Sequence, residues 1–304
     1  MRRRPIDCQR IDYYRKGRTL APPTETEPST ARRPTLDTQT TFVNLLLYGD
    51  PGSGKTTGAT GLARAGRLVY VDAENGLKRQ PLETLGLPTE NIQVYRPATF
   101  AGLEELAGEL RAELTHDPDA YVGVVLDSLS EIQRALIEED ARGRYRLTQG
   151  DYGENTQKLR RGLRLYRDLP CHVGFTAHVR RDEDDDGEVH FGPALTPAVA
   201  GDLLGLVDVV CHTHAIARLD GQEPDYLGAF RPGRKFVAKD RFGLLPPRLI
   251  NPTFDRVVAY VEGDYRREAL REVDAGVTDP QGLDREQYEY RLRMAAVGTH
   301  ERKD

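Results

Sequence analysis

Residues 49–56 read Gly-Asp-Pro-Gly-Ser-Gly-Lys-Thr. They fit the pattern G-x-x-x-x-G-K-[ST] at every fixed position, with an apolar run before and a helical pattern after. The residue types explain the chemistry. Gly49, Gly52 and Gly54 permit backbone angles that wrap successive N–H groups around an anion. The helix that follows points its positive end at the same place. Lys55 can reach β- and γ-phosphates, and the Thr56 hydroxyl can bind Mg²⁺. The expected nucleotide contacts are Gly49, Asp50, Pro51, Gly52, Ser53, Gly54, Lys55, Thr56 and Thr57.

Two acidic sites complete the expected chemistry. Asp127 closes the apolar run Val122–Leu126. A carboxylate there can hold Mg²⁺ or its water shell. Asp127-Ser128 can also cap the next helix, and the two roles are compatible. Asp72 and Glu74 stand at the end of Leu68-Val-Tyr-Val-Asp72, where α/β sheets place their chemistry. Hydrolysis of a nucleoside triphosphate needs a group to orient the attacking water, and Glu74 is the candidate. A nucleotide kinase would use such carboxylates to hold an acceptor instead.

These groups need elements to position them. Short apolar runs at 42–48, 68–72, 121–127, 171–177 and 206–211 read as buried strands. Helical spacing covers 56–65, 100–114, 129–141 and 154–169. Strands alternating with helices imply an α/β fold with a mostly parallel sheet flanked by helices. Beyond Cys211, the turn signals Asp220-Gly221, Pro232-Gly233 and Pro246-Pro247 suggest an antiparallel hairpin extension. The expected organisation is a basic, Pro-rich disordered arm at 1–40, an ATPase domain at 41–262 and a charged, partly helical tail at 263–304. The arm reads as a solvated tail, or as an electrostatic arm for DNA or a neighbouring subunit.

Composition narrows the field. The chain has 304 residues, with 43 Lys+Arg against 48 Asp+Glu and a net charge of −5. It is long enough for one sizeable core without disulfide or metal staples. The acidic balance excludes a protein that coats nucleic acid through bulk positive charge. Cys8, Cys171 and Cys211 show no paired spacing. No apolar run approaches the roughly 20 residues of a membrane span, and Met-Arg-Arg-Arg lacks a signal peptide's apolar stretch. No membrane partner and a reduced, cytoplasmic setting are expected.

Taken in order, Gly49–Thr56, Val71-Asp-Ala-Glu74 and Val124-Val-Leu-Asp127-Ser128 resemble the RecA-like P-loop ATPase core. In that family the matching glutamate is catalytic, which carries over to Glu74. The strand Cys171–Arg180 resembles the one that ends in a γ-phosphate-sensing Gln. His178 stands at that position here, so the sensor role and a strand-end His bonded to backbone both stay open. Lys239-Asp-Arg-Phe-Gly243 resembles the RadA-type Lys-Asn-Arg-Phe-Gly motif and the basic pair that RecA subunits insert into a neighbour's site. Lys239 and Arg241, at i and i+2, would project to one side of an extended segment. Either that role or a solvated hairpin edge fits.

The compact core is most similar to phage Sak-type single-strand annealing proteins. That resemblance implies a Mg²⁺-dependent, DNA-stimulated ATPase acting on single-stranded DNA in recombination or strand annealing. It also implies self-assembly into a hexameric or heptameric ring or a filament, in a bacterial host's cytoplasm if phage-encoded. The alternatives are a P-loop small-molecule or nucleoside kinase, and an ATP-controlled assembly module with little turnover.

The DNA-facing loops of such a core would be about 142–153 and 179–198. The first carries Arg142, Arg144, Tyr145, Arg146 and Tyr152, a sensible mixture for phosphates and stacked bases. Arg160, Arg164 and Arg167 follow on a helix face that reads as solvated. The second loop carries Asp182, Glu183, Asp184, Asp185, Asp186 and Glu188, which would repel phosphates. His212 and His214 share a strand face, but no third ligand supports a metal site.

Overall fold

The computed structural model describes residues 41–141, 148–216 and 224–262. The expected arm and tail lie outside them, as do Arg142, Arg144, Tyr145, Arg146 and the turn at Asp220-Gly221.

The apolar runs form the middle of a ten-stranded sheet. Strands β1 (Asn44–Gly49), β2 (Leu68–Asp72), β3 (Ile92–Tyr95), β4 (Gly123–Asp127), β5 (His172–Glu183) and β7 (Val209–Ile216) run parallel. Antiparallel partners are β6 (Val189–Pro193), β8 (Asp225–Ala229), β9 (Lys239–Asp240) and β10 (Arg248–Ile250). The order is β10-β8-β7-β1-β5-β4-β2-β3, with β6 on β5 and β9 on β7. The expected mostly parallel sheet with an antiparallel extension is therefore what the chain forms.

Successive residues of β1 face opposite sides, as the strand period of two requires. Leu46 and Tyr48 pack with α3 (Phe100–His116), α4 (Leu129–Ala141), α5 (Gln149–Arg167) and α6 (Pro197–Leu206). Leu45 and Leu47 pack with α1 (Lys55–Thr60) and α7 (Phe254–Glu262) on the other face. Phe254, Val257, Leu163 and Leu203 are at most 2% exposed, and burying each such side chain contributes about 1.5–3 kcal/mol.

The differences from expectation have physical causes. Helix α5 starts at Gln149 rather than 154, because Thr148 and Asp151 form a reciprocal capping box that outweighs Gly150 and Gly153. The expected loop at 179–198 is mainly a β-hairpin. Strand β5 runs on to Glu183, and Arg181 and Asp182 pair with Phe191 and His190. Both faces of this hairpin are charged and partly solvated, so it shows no apolar alternation. Strand β7 begins at Val209, because 197–206 is helix α6. The short α2 (Arg79–Thr84) and edge strand β3 carry too few buried residues to declare themselves. Among the described residues no helix is long and apolar enough to cross a membrane.

Candidate functional site

The loop between β1 and α1 turns on glycines. Gly52 and Gly54 have φ of 75° and 82°, angles that side-chain-bearing residues rarely adopt. Gly54 is also crowded, since a Cβ there would lie 2.6 Å from the Tyr226 ring. A Cβ on Gly52 would meet nothing within 4 Å, so glycine there answers to backbone angle alone and the space above it is open.

Lys55 is 8% exposed. Its Nζ donates to the carbonyls of Gly49 at 3.0 Å and Asp50 at 2.8 Å. Burial lowers its pKa, opposed by the charges of Asp127, Glu74 and Asp50. Ser53 and Thr213 share a hydrogen bond of 2.9 Å. Asp50 accepts from Arg181 at 2.8 Å, which ties the loop to the β5–β6 hairpin.

Strand order decides which expected residues meet. Asp72 and Asp127 are register partners on β2 and β4, and Gly49 and His178 are partners on β1 and β5. Gly49, Asp72 and Asp127 end their strands, and His178, inside the longer β5, lies level with Gly49. Asp127 is 4% exposed and carries hydroxyls on both oxygens. Oδ2 accepts from Thr56 at 2.8 Å and from the phenol of Tyr70. Oδ1 accepts from Thr176. The expected Thr56–Asp127 pair is thus in contact.

Asp72 is equally buried but differently partnered. Arg96 donates to it at 2.9 Å, and Gly76 N–H at 2.9 Å. It organises the turn that carries Glu74 and is not a free carboxylate. Glu74 Oε1 lies 2.8 Å from His178 Nε2 and also accepts from Ser128 Oγ. The structure thus brings Glu74 and His178 together. The main-chain N–H of His178 donates to Ser130 Oγ at 3.0 Å. Its ring is turned to Glu74.

Lys239 and Arg241 are not brought to this loop. Strand β9 pairs with Val209 and Val210 at the amino end of β7, whereas Gly49 aligns with Thr213. Both side chains do reach one side, to the end of α6. Lys239 Nζ donates to Leu204 O and Val207 O, both at 2.7 Å. Arg241 donates to Asp208 at 2.6 Å and to Gly205 O at 2.9 Å. Cations at a helix C-terminus satisfy its free carbonyls and dipole.

The remaining candidates also have definite places. Tyr152, on α5, is 48% exposed. The arginine face of α5 is partly neutralised, since Arg160 pairs with Asp202 and Arg161 with Glu104. The acidic run forms the hairpin's turn, where Asp184 accepts from the Glu188 N–H and lies 2.7 Å from His190 Nε2. The His212 ring packs against Tyr48, Phe236 and Phe191. Burial lowers its pKa to about 4, which matches the structural reading of the His212/His214 pair.

The arrangement fits a triphosphate and its cation. An ammonium bonded only to neutral carbonyls, the unsatisfied first N–H groups of α1 and a hydroxyl–carboxylate pair converge beneath open space. Sequence reasoning missed Tyr70, Thr176, Ser128 and Arg181. A phenol between the apolar residues of β2 was the one available signal, because a buried tyrosine hydroxyl usually has a partner.

A family model described as AAA domain matches residues 41–242, well over half of the 304-residue chain. No curated protein matches the chain.

Proposed function

The chain belongs to the AAA-domain family of P-loop ATPases, and from that premise we propose a Mg²⁺-dependent ATPase that acts on single-stranded DNA as an oligomer. The observation that carries the hydrolytic reading is the pairing of Glu74 with His178 beside the Lys55 loop, at 2.8 Å.

In this reading Lys55 exchanges its carbonyl partners for β- and γ-phosphate oxygens. Those carbonyl bonds hold the ammonium in place beforehand, so little reorganisation accompanies binding. The N–H groups of Gly52–Thr57 bind phosphate oxygens. Thr56 and Asp127 hold Mg²⁺, which neutralises charge on the phosphates when bound. Glu74 orients the attacking water and accepts its proton. His178, on β5 beside β1 and level with Gly49, senses the γ-phosphate by exchanging its contact with Glu74. The DNA part rests on the resemblance to single-strand annealing ATPases, on Tyr152 and on the sequence run of Arg142, Arg144 and Arg146, which lies outside the described residues. The oligomer part rests on the motif Lys239–Gly243, whose Arg241 side chain is half exposed.

A second reading, an ATP-controlled assembly module with little turnover, draws on one observation. Glu74 Oε1 is held by both Ser128 and His178, so the oxygen that would accept a proton from water is already engaged.

Turnover with and without single-stranded DNA separates the readings. We expect DNA-stimulated ATP hydrolysis that Lys55→Ala and Glu74→Gln each reduce by roughly 10²-fold or more. Turnover indifferent to DNA would remove the DNA part. Nucleotide binding without turnover, with or without DNA, would favour the assembly module.

A further inference from the structure

Asp72 and Asp127 lie side by side, both nearly inaccessible at 2% and 4% exposure. Burying an ionised carboxylate is costly unless its charge is met. Asp72 is met by a cation, Arg96 at 2.9 Å. Among the described residues no Lys or Arg pairs with Asp127. It is met by three hydroxyls, from Thr56, Tyr70 and Thr176.

The two solutions differ chemically. A guanidinium neutralises the carboxylate it contacts. Hydroxyl donors stabilise the anion but leave its full negative charge available to a further cation. They also fix its orientation. A carboxylate offers about four lone-pair directions, and three are taken. Thr56 is the member of the trio on the phosphate loop, whereas Tyr70 and Thr176 sit in β2 and β5, on either side of β4 in the sheet. Both are 0% exposed, so neither can touch nucleotide.

We propose that Tyr70 and Thr176 are positioning residues that hold Asp127 oriented toward Thr56, and so set the protein's affinity for the divalent cation that accompanies nucleotide. This rests on the P-loop ATPase reading of the same site. The outer partners of metal-binding groups typically change metal affinity by 10–100-fold when removed.

The test titrates Mg²⁺ against binding of a fluorescent ADP analogue to the full chain, with no reliance on turnover. Tyr70→Phe and Thr176→Val keep shape and remove one donor each. Each is expected to raise the Mg²⁺ midpoint roughly tenfold, with analogue affinity in EDTA unchanged. Should one variant fail to fold, the other answers the same question. If Asp127→Asn moves the Mg²⁺ midpoint while both hydroxyl variants match the parent, the positioning proposal is overturned and the site stands. If the parent shows no Mg²⁺ dependence, or Asp127→Asn does not move it, the site reading falls, and the proposal with it.

Discussion

At the amino end of the sheet, charged and polar groups are bonded to one another and to backbone. Asp208 takes Arg241 at 2.6 Å and the Asn44 N–H at 3.0 Å. Lys239 closes the end of α6. His172 accepts the Val43 N–H at 3.1 Å. At the carboxyl end the same kinds of group are left exchangeable. Lys55 is lent to two carbonyls, Asp127 is stabilised without being neutralised, and Glu74 is held by Ser128 and a histidine. One end spends its polar groups on holding strands and helix together. The other leaves them free to change partners, which is what pre-organised chemistry requires.

The sharpest test of that contrast exchanges damage between the ends. Glu74→Gln should lower ATP turnover by about 10²–10⁴-fold with little change in melting temperature. Lys239→Met should do the reverse within one chain, lowering the melting temperature by removing two carbonyl partners. Arg241→Ala probes whether the amino end also serves a neighbour. A mixture of Arg241→Ala and Lys55→Ala subunits that recovers turnover places Arg241 in the adjoining site. Mixtures as inactive as their parts would confine Arg241 to its own helix end.

A pH titration breaks the comparison more gently. Burial lowers the His172 pKa from 6.5 to about 4, and its Nδ1 must stay unprotonated to accept from Val43. Between those values the unfolded chain binds more protons than the folded one. Stability should therefore fall as pH drops from about 6.5 toward 4, by about 3 kcal/mol in full from this group. His212, lowered to about 4 by burial, titrates in the same window. His172→Asn, which can retain an acceptor near Nδ1, should reduce the slope of denaturant-derived stability against pH without flattening it. An unchanged slope would remove His172 from the amino-end network.

The smallest effect concerns Arg181. Its pair with Asp50 is well exposed, with side chains 60% and 46% accessible, so Arg181→Ala should cost only about 0.2–1 kcal/mol of stability by thermal melts. A larger loss would mean that the phosphate loop depends on the hairpin for its shape.

Much of the carboxyl end was legible in the sequence, because the phosphate loop writes its chemistry into fixed spacing and the strands that lead to Glu74 and end in Asp127 are short and apolar. Two of the donors to Asp127, Tyr70 and Thr176, were not legible. They join Thr56 there only because β2, β4, β5 and the loop converge, a fact of strand order. Asp72 shows the same limit. Its place at a strand end suggested chemistry, and only Arg96, 24 residues on, makes it a support. Helix α6 had a local signal in Thr196-Pro197, with proline at its first turn, but its small residues gave no stripe. The amino-end role of Lys239 and Arg241 depended on where α6 stops.

The contact between Arg181 and Asp50 has one more consequence, in thermodynamic linkage. It joins the phosphate loop to a hairpin that reaches away from it. Any ligand that draws Arg181 toward itself alters the loop's partners, and any phosphate that displaces Asp50 releases Arg181. The two events share one coupling free energy. Whatever factor nucleotide imposes on the hairpin's affinity for a ligand, that ligand must impose on the affinity for nucleotide.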